Sequence, residues 1–231
     1  MFGDRSVQVV RLFGTSVQTN VEAVLIMLAT GLAGTSWLHG AFIVAAFAVG
    51  TGLHLASHWV VAVAFGKGIE RMVLTRAGRI DYAGAEPTFV EYLVRTAAGP
   101  AMNGLCALAG YATLSLVETA PWHPTAMLAL RAFASCNLIL LAINFLPAIP
   151  LDGGLILQRI LARLFGDARA QLVAARVSIA LMLALLLGGV LWAQPVLVYL
   201  GVVISYDTWR KHLRAQTGVA RVWVKPTSTR V

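Results

Sequence analysis

The chain has 231 residues, of which 58% are hydrophobic and only 12% charged, and it carries a formal net charge of +8. A charged fraction about half that of soluble domains excludes an ordinary water-soluble fold and points to a polytopic membrane protein. The positive charge excludes a nucleic-acid groove, because the basic residues lie in groups separated by apolar runs.

Those groups are Arg5 and Arg11; Lys67, Arg71, Arg76, Arg79 and Arg95; Arg159, Arg163, Arg169 and Arg176; and a tail from Arg210 to Arg230. The connections between the remaining run ends carry no Lys or Arg. This alternation is the positive-inside pattern, and it predicts about six crossings with both termini in the cytoplasm. Cys106 and Cys136 fall inside apolar runs, so they read as small buried residues and not as a disulfide framework. The first residues lack the compact apolar core of a cleavable signal peptide.

Residues 1–20 form an N-terminal arm whose loosely alternating pattern around Gly14 predicts two short strands and a turn. A first span is expected from Val21 to Ala33, broken at Gly34-Thr35-Ser36. A second runs from Leu38 to Phe65. Between Ala23 and Gly66 there is no Asp, Glu, Lys or Arg, so this whole segment belongs in a bilayer, with a tight outer turn near His39.

Residues 66–85 leave the membrane as a hairpin, with strands at Ile69–Thr75 and Ile80–Tyr82 around a glycine turn. The third span, Tyr92 to Val117, contains Ala98-Gly99-Pro100-Ala101-Met102-Asn103. Gly99 allows close helix packing, Pro100 frees a backbone carbonyl, and Asn103 is expected to hydrogen-bond between helices. Glu118 to Pro124 is an outer loop, which puts His123 on the wrong surface for a shared metal. The fourth span, Thr125 to Leu146, places Asn137 and Asn144 on one face, where both can look into the site, and Asn137 by itself reads as packing between helices.

It leads into Asn144-Phe145-Leu146-Pro147-Ala148-Ile149-Pro150-Leu151-Asp152-Gly153-Gly154. Two prolines break the helix and two glycines let the backbone turn, so Asp152 is expected to return to membrane depth on irregular backbone. Gly154 to Phe165 is an amphipathic helix on the cytoplasmic side. Residues 166–206 hold the last transmembrane helices, a fifth span at Leu172–Trp192 and a short sixth at Val196–Tyr206. Residues 207–231 are a basic cytoplasmic tail.

His54 and His58 require an explanation, because polar side chains at membrane depth are costly and usually functional. Their spacing puts both imidazoles on one helix face, one turn apart, the geometry of two nitrogens on one zinc ion. Two core histidines bonded to neighbouring helices fit the pair equally well. With Asp152 the set becomes two imidazoles and a carboxylate, a three-ligand zinc site with a fourth position open.

The H-x-x-x-H pair followed by N-x-x-P-x-x-P-L-D-G-G resembles the site-2 protease family of intramembrane zinc metalloproteases, peptidase family M50. The resemblance covers roughly Val7 to Phe165 and implies a site-2 protease core at 21–165, here an all-α polytopic membrane protein with a small membrane-associated β element. It implies zinc on His54, His58 and Asp152, Asn144 as polar support, and a bacterial inner membrane as the location. It also implies a transmembrane protein as substrate or client, and a sheet edge on which an unfolded substrate strand can pair.

One position departs from the family. Leu55 stands where H-E-x-x-H has its glutamate, the general base of the hydrolysis. The expectation is therefore a family member with impaired or lost peptidase activity. The alternative is a non-catalytic pseudoprotease that binds membrane helices. Ion or solute transport ranks last, because transport folds usually show repeated halves and this chain has none.

Overall fold

The computed structural model describes residues 6–12, 14–74, 79–83, 86–117, 123–193, 197–199, 201–202 and 205. The chain opens with β1 (Val7–Leu12) and β2 (Thr15–Thr19), which turn at Gly14 with φ +83°. Then come α1 (Val21–Ala29), a 3-10 turn (Thr30–Ala33) and α2 (Trp37–Ala64). Strands β3 (Ile69–Leu74) and β4 (Arg79–Tyr82) follow, and then α3 (Phe89–Val117), α4 (Pro124–Phe145), α5 (Asp152–Phe165) and α6 (Asp167–Leu191).

The termini of these helices are written in the sequence. Asn20 accepts a hydrogen bond from the Ala23 amide at the start of α1, and Ser36 accepts one from His39 at the start of α2. His123 caps α4 in the same way through the Thr125 amide, ahead of a proline in the first turn.

Among the described residues, four helices are long and apolar enough to cross a membrane: α2, α3, α4 and α6. The expected first span falls short of that. Helix α1 and its 3-10 turn cover 13 residues, roughly 20 Å against a hydrocarbon core of about 30 Å, and they fold back against α2. Of the expected sixth span, Val196–Tyr206, residues 197–199, 201–202 and 205 are described, and they are helical.

The two hairpins join in one sheet of order β1-β2-β3-β4, with β2 parallel to β3 and the other pairs antiparallel. Thr15 Oγ1 donates to Ile69 O at 2.7 Å and fixes this junction. Ile69 and Met72 of β3 pack with Ala62 near the end of α2, joined by Leu55, Trp59, Ile80 and Tyr82. The sheet is thus seated on the same helix that carries the two histidines.

Helices α2, α3 and α4 pack on one another and form the centre of the molecule. Ala46 of α2 meets Ala132 and Cys136 of α4, with Phe42, Ile43 and Phe133 around them. Arg95, grouped by sequence with the basic residues that follow the histidine helix, is buried in α3, at 4% exposure, and pairs with buried Glu91 at 2.9 Å. An i,i+4 carboxylate within its own helix lets the guanidinium enter the protein interior.

Asp152 is likewise more regular than expected. The irregular backbone, which includes a cis Ile149-Pro150 bond, ends at Leu151, and Asp152 is the first residue of α5. A carboxylate is favoured in that first turn by the helix dipole. Gly153 and Gly154 explain how α5 fits: a Cβ on Gly153 would meet the carbonyl oxygens of Phe145 and Leu146, and one on Gly154 would meet Ala148.

Candidate metal centre

Helix α2 presents Gly50, His54, His58 and Ala62 at four-residue intervals, all buried. Helix α3 presents Glu91, Arg95, Gly99 and Asn103 at the same interval, also buried. Asn103 lies against Gly50 and His54, while Arg95 lies against His58, so the two helices run antiparallel with these faces together. Gly99 makes this possible, since a Cβ there would overlap both imidazoles.

The hydrogen bonds fix both imidazole tautomers. Asn137 Nδ2 donates to Phe133 O of its own helix at 2.9 Å, which leaves its Oδ1 as an acceptor. Asn103 Nδ2 donates to that oxygen at 2.9 Å and to Gly50 O at 3.1 Å. Asn103 Oδ1 must then accept, and it lies 2.7 Å from His54 Nδ1. His58 Nδ1 is 2.7 Å from Arg95 O, which can only accept. Both histidines therefore donate through Nδ1 and turn Nε2, the lone-pair nitrogen of a neutral ring, toward the site.

Those lone pairs converge. The two Nε2 atoms are 3.2 Å apart, and Asp152 Oδ2 lies 3.2 Å from His54 Nε2 and 3.7 Å from His58 Nε2. Asp152 Oδ2 is buried and receives no hydrogen bond. A cation placed among these three groups would satisfy all of them at once. The ligand atoms of His54, His58 and Asp152 all lie within 4.8 Å of one another. Their chemistry, two neutral imidazoles and one carboxylate, suits zinc, and their Nδ1 partners are the supports that zinc histidines normally have.

The surroundings separate the remaining candidates. Leu55 is half-buried and packs on the α2–β3 cluster that includes Trp59, Ile80 and Tyr82. Asn144 donates to Leu140 O of its own helix at 2.9 Å. The asparagines bonded to the site are Asn103 and Asn137, which sequence reading took for helix packing. The signal for Asn103 was its place one turn after Gly99 on a glycine-marked face. Tyr82 lies under the Arg95 guanidinium, 3.4 Å from Cζ to the ring centroid. Burial raises its phenol above the ordinary value, so at neutral pH it is a donor and not a base.

Comparison with known proteins bears on this geometry. The model of peptidase family M50 matches residues 115–185. A zinc metalloprotease of Methanocaldococcus jannaschii is 24% identical over 204 residues, covering 87% of this chain and 59% of that protein. Rip3 of Mycobacterium tuberculosis is 32% identical over 174 residues, covering 71% of this chain and 44% of that protein. This chain thus spans about half the length of these curated relatives. Among solved structures, the site-2 protease from M. jannaschii matches with a TM-score of 0.68 at 21% identity, over 89% of this chain and 94% of that one.

Proposed function

This chain belongs to peptidase family M50, the site-2 protease family, and on that premise we propose that it binds zinc at His54, His58 and Asp152 and receives transmembrane segments of other membrane proteins with impaired or lost peptidase activity. The observation that carries the proposal is the convergence of His54 Nε2, His58 Nε2 and Asp152 Oδ2 on one buried point beside Leu55.

Bound zinc would supply Lewis-acid polarisation of a substrate carbonyl and of water. Asn103 and the Arg95 carbonyl hold the imidazoles in the tautomer and orientation that a metal requires. Asp152 adds a negative charge at the start of α5. Leu55 can neither accept a proton from an attacking water nor return it to the leaving amine. A general base typically supplies about 10²–10⁴-fold in rate, so its loss leaves hydrolysis slow and metal binding intact.

The pseudoprotease reading draws support from the packing of Leu55. Its side chain belongs to the apolar cluster that seats the sheet on α2, so the position serves cohesion. A client segment entering there would meet a hydrophobic wall. We place the basic loops and both termini in the cytoplasm of a bacterial inner membrane, from the distribution of Arg and Lys.

The test is metal content followed by cleavage. Protein purified without chelators should carry about one zinc per chain, and His54→Ala or Asp152→Ala should remove it. Folded wild-type protein free of zinc would overturn the metal assignment. Rapid zinc-dependent cleavage of a model membrane substrate by wild type would overturn the loss of activity.

A further inference from the structure

Helix α5 packs on both α3 and α6, and it meets the starts of those two helices, at Phe89, Tyr92 and Asp167, around one junction. At this junction is a recess of about 210 Å³ lined by Tyr92, Gln158, Arg159 and Gln171, adjoining another of about 220 Å³ that Arg163 and Phe89 help to line. Arg159 and Arg163 stand one turn apart on α5. Their guanidinium carbons lie 5.1 Å from the Tyr92 ring and 5.7 Å from the Phe89 ring. Stacking on rings orients a guanidinium and leaves its N–H groups free for an anion.

Among the described residues, neither arginine has a carboxylate within ion-pair distance. Asp167 lies on the rim of both recesses, yet it pairs with neither and leaves the rim net positive. Beside Arg163, the side chains of Leu164 and Phe165 are 65% and 54% exposed. A free phosphate would leave them in water, whereas acyl chains would cover them.

We propose that this junction is a binding site for the headgroup of an anionic phospholipid, with its phosphate held by Arg159 and Arg163 and its acyl chains over Leu164 and Phe165. Arg159 lies seven residues after Asp152, two turns along the same face of α5. A lipid seated there steadies the helix that delivers the carboxylate to the metal centre. The site is independent of whether the chain cleaves anything.

The experiment uses the full chain in neutral detergent, with bound lipid counted by native mass spectrometry during titration with phosphatidylglycerol or phosphatidylcholine. Phosphatidylglycerol should be retained preferentially and saturably. Loss of each arginine should weaken retention about fivefold, so Arg159→Gln/Arg163→Gln should weaken it roughly 25-fold. Arg169→Gln/Arg176→Gln, which removes exposed charge from α6, should behave as wild type. If the first double variant does not fold, Arg163→Gln at its exposed position decides the matter, with a fivefold loss expected. Equal retention of the two lipids, or wild-type retention by the Arg159 and Arg163 variants, would overturn the proposal. Displacement of phosphatidylglycerol by an equal concentration of inorganic phosphate would reassign the recess to a free anion.

Discussion

Asn103 Oδ1 lies 2.7 Å from His54 Nδ1, and Asn103 is fully buried. This contact, anchored by Asn137 and the Gly50 carbonyl, dictates which nitrogen of His54 faces the metal position. Asn103→Leu removes it and frees the ring to turn or change tautomer. Zinc affinity, measured by competition with a chelator, should fall about 10- to 100-fold. Asn137→Ala acts one hydrogen bond further away and should cost less. An Asn103→Leu protein that holds zinc as tightly as wild type would show that packing alone orients His54.

The close approach of α3 to the imidazoles gives a second test. Gly99→Ala puts a methyl group onto the His54 and His58 rings, which must move. Zinc content and thermal stability should both drop. Gly104→Ala, on the same helix, adds a methyl whose nearest neighbour is a Leu141 methyl carbon at 3.5 Å, an ordinary contact, and should be tolerated. Equal effects of the two substitutions would mean that helix propensity and not crowding at the metal centre is being measured.

The Glu91–Arg95 pair is buried, with N–O at 2.9 Å. Removing one partner strands a charge, so Glu91→Gln or Arg95→Met should each destabilise by about 3–5 kcal/mol, while replacing both with apolar residues of similar volume should cost less. Unfolding midpoints in detergent for the two single variants and the double variant read this directly. A double variant as damaged as the sum of the singles would show the two side chains to be uncoupled.

Local signals carried most of the fold. Gly14, Ser36, Pro124 and the Pro147–Gly154 segment mark element ends because caps, prolines and tight turns act over a few residues. The His54, His58 and Asp152 group was legible because spacing on one helix and a broken helix before an acid are both sequence patterns. What stayed hidden was non-local. No pattern says that β2 will pair in parallel with β3. Nor does any pattern say that Arg95 will find Glu91 and enter the interior, giving its carbonyl to His58. Asn103 and Asn137 read as packing residues because their role depends on a hydrogen-bond chain across three helices.

Orientation follows from charge. Helices α2, α3, α4 and α6 are each long and apolar enough to cross a membrane, and the basic groups lie beyond the end of α2, along α5 and around the start of α6. Reporter fusions at Gly34 and Trp122 should read outside, and fusions at Gly78 and the C-terminus inside. A C-terminus that reads outside would remove Val196–Tyr206 from the spans.

The last test concerns Leu55, which follows His54 directly and precedes His58 by three residues, nearly one helical turn. If the chain lacks only a proton-transfer group, Leu55→Glu supplies it, and cleavage of a membrane substrate should rise by about 10²–10⁴-fold. The new carboxylate leaves the apolar cluster of Trp59, Ile80 and Tyr82 one side chain poorer, so some stability should be lost. The gain should vanish in Leu55→Glu/His58→Ala, which keeps the acid and loses a ligand. Wild type, Leu55→Glu and the double variant are compared in membranes with zinc present, and zinc content is measured on each. Wild-type cleavage that Leu55→Glu does not improve would mean that another group already serves as base. A folded, zinc-loaded Leu55→Glu protein that cuts nothing would mean that the cavity, and not only the proton transfer, has been given over to binding.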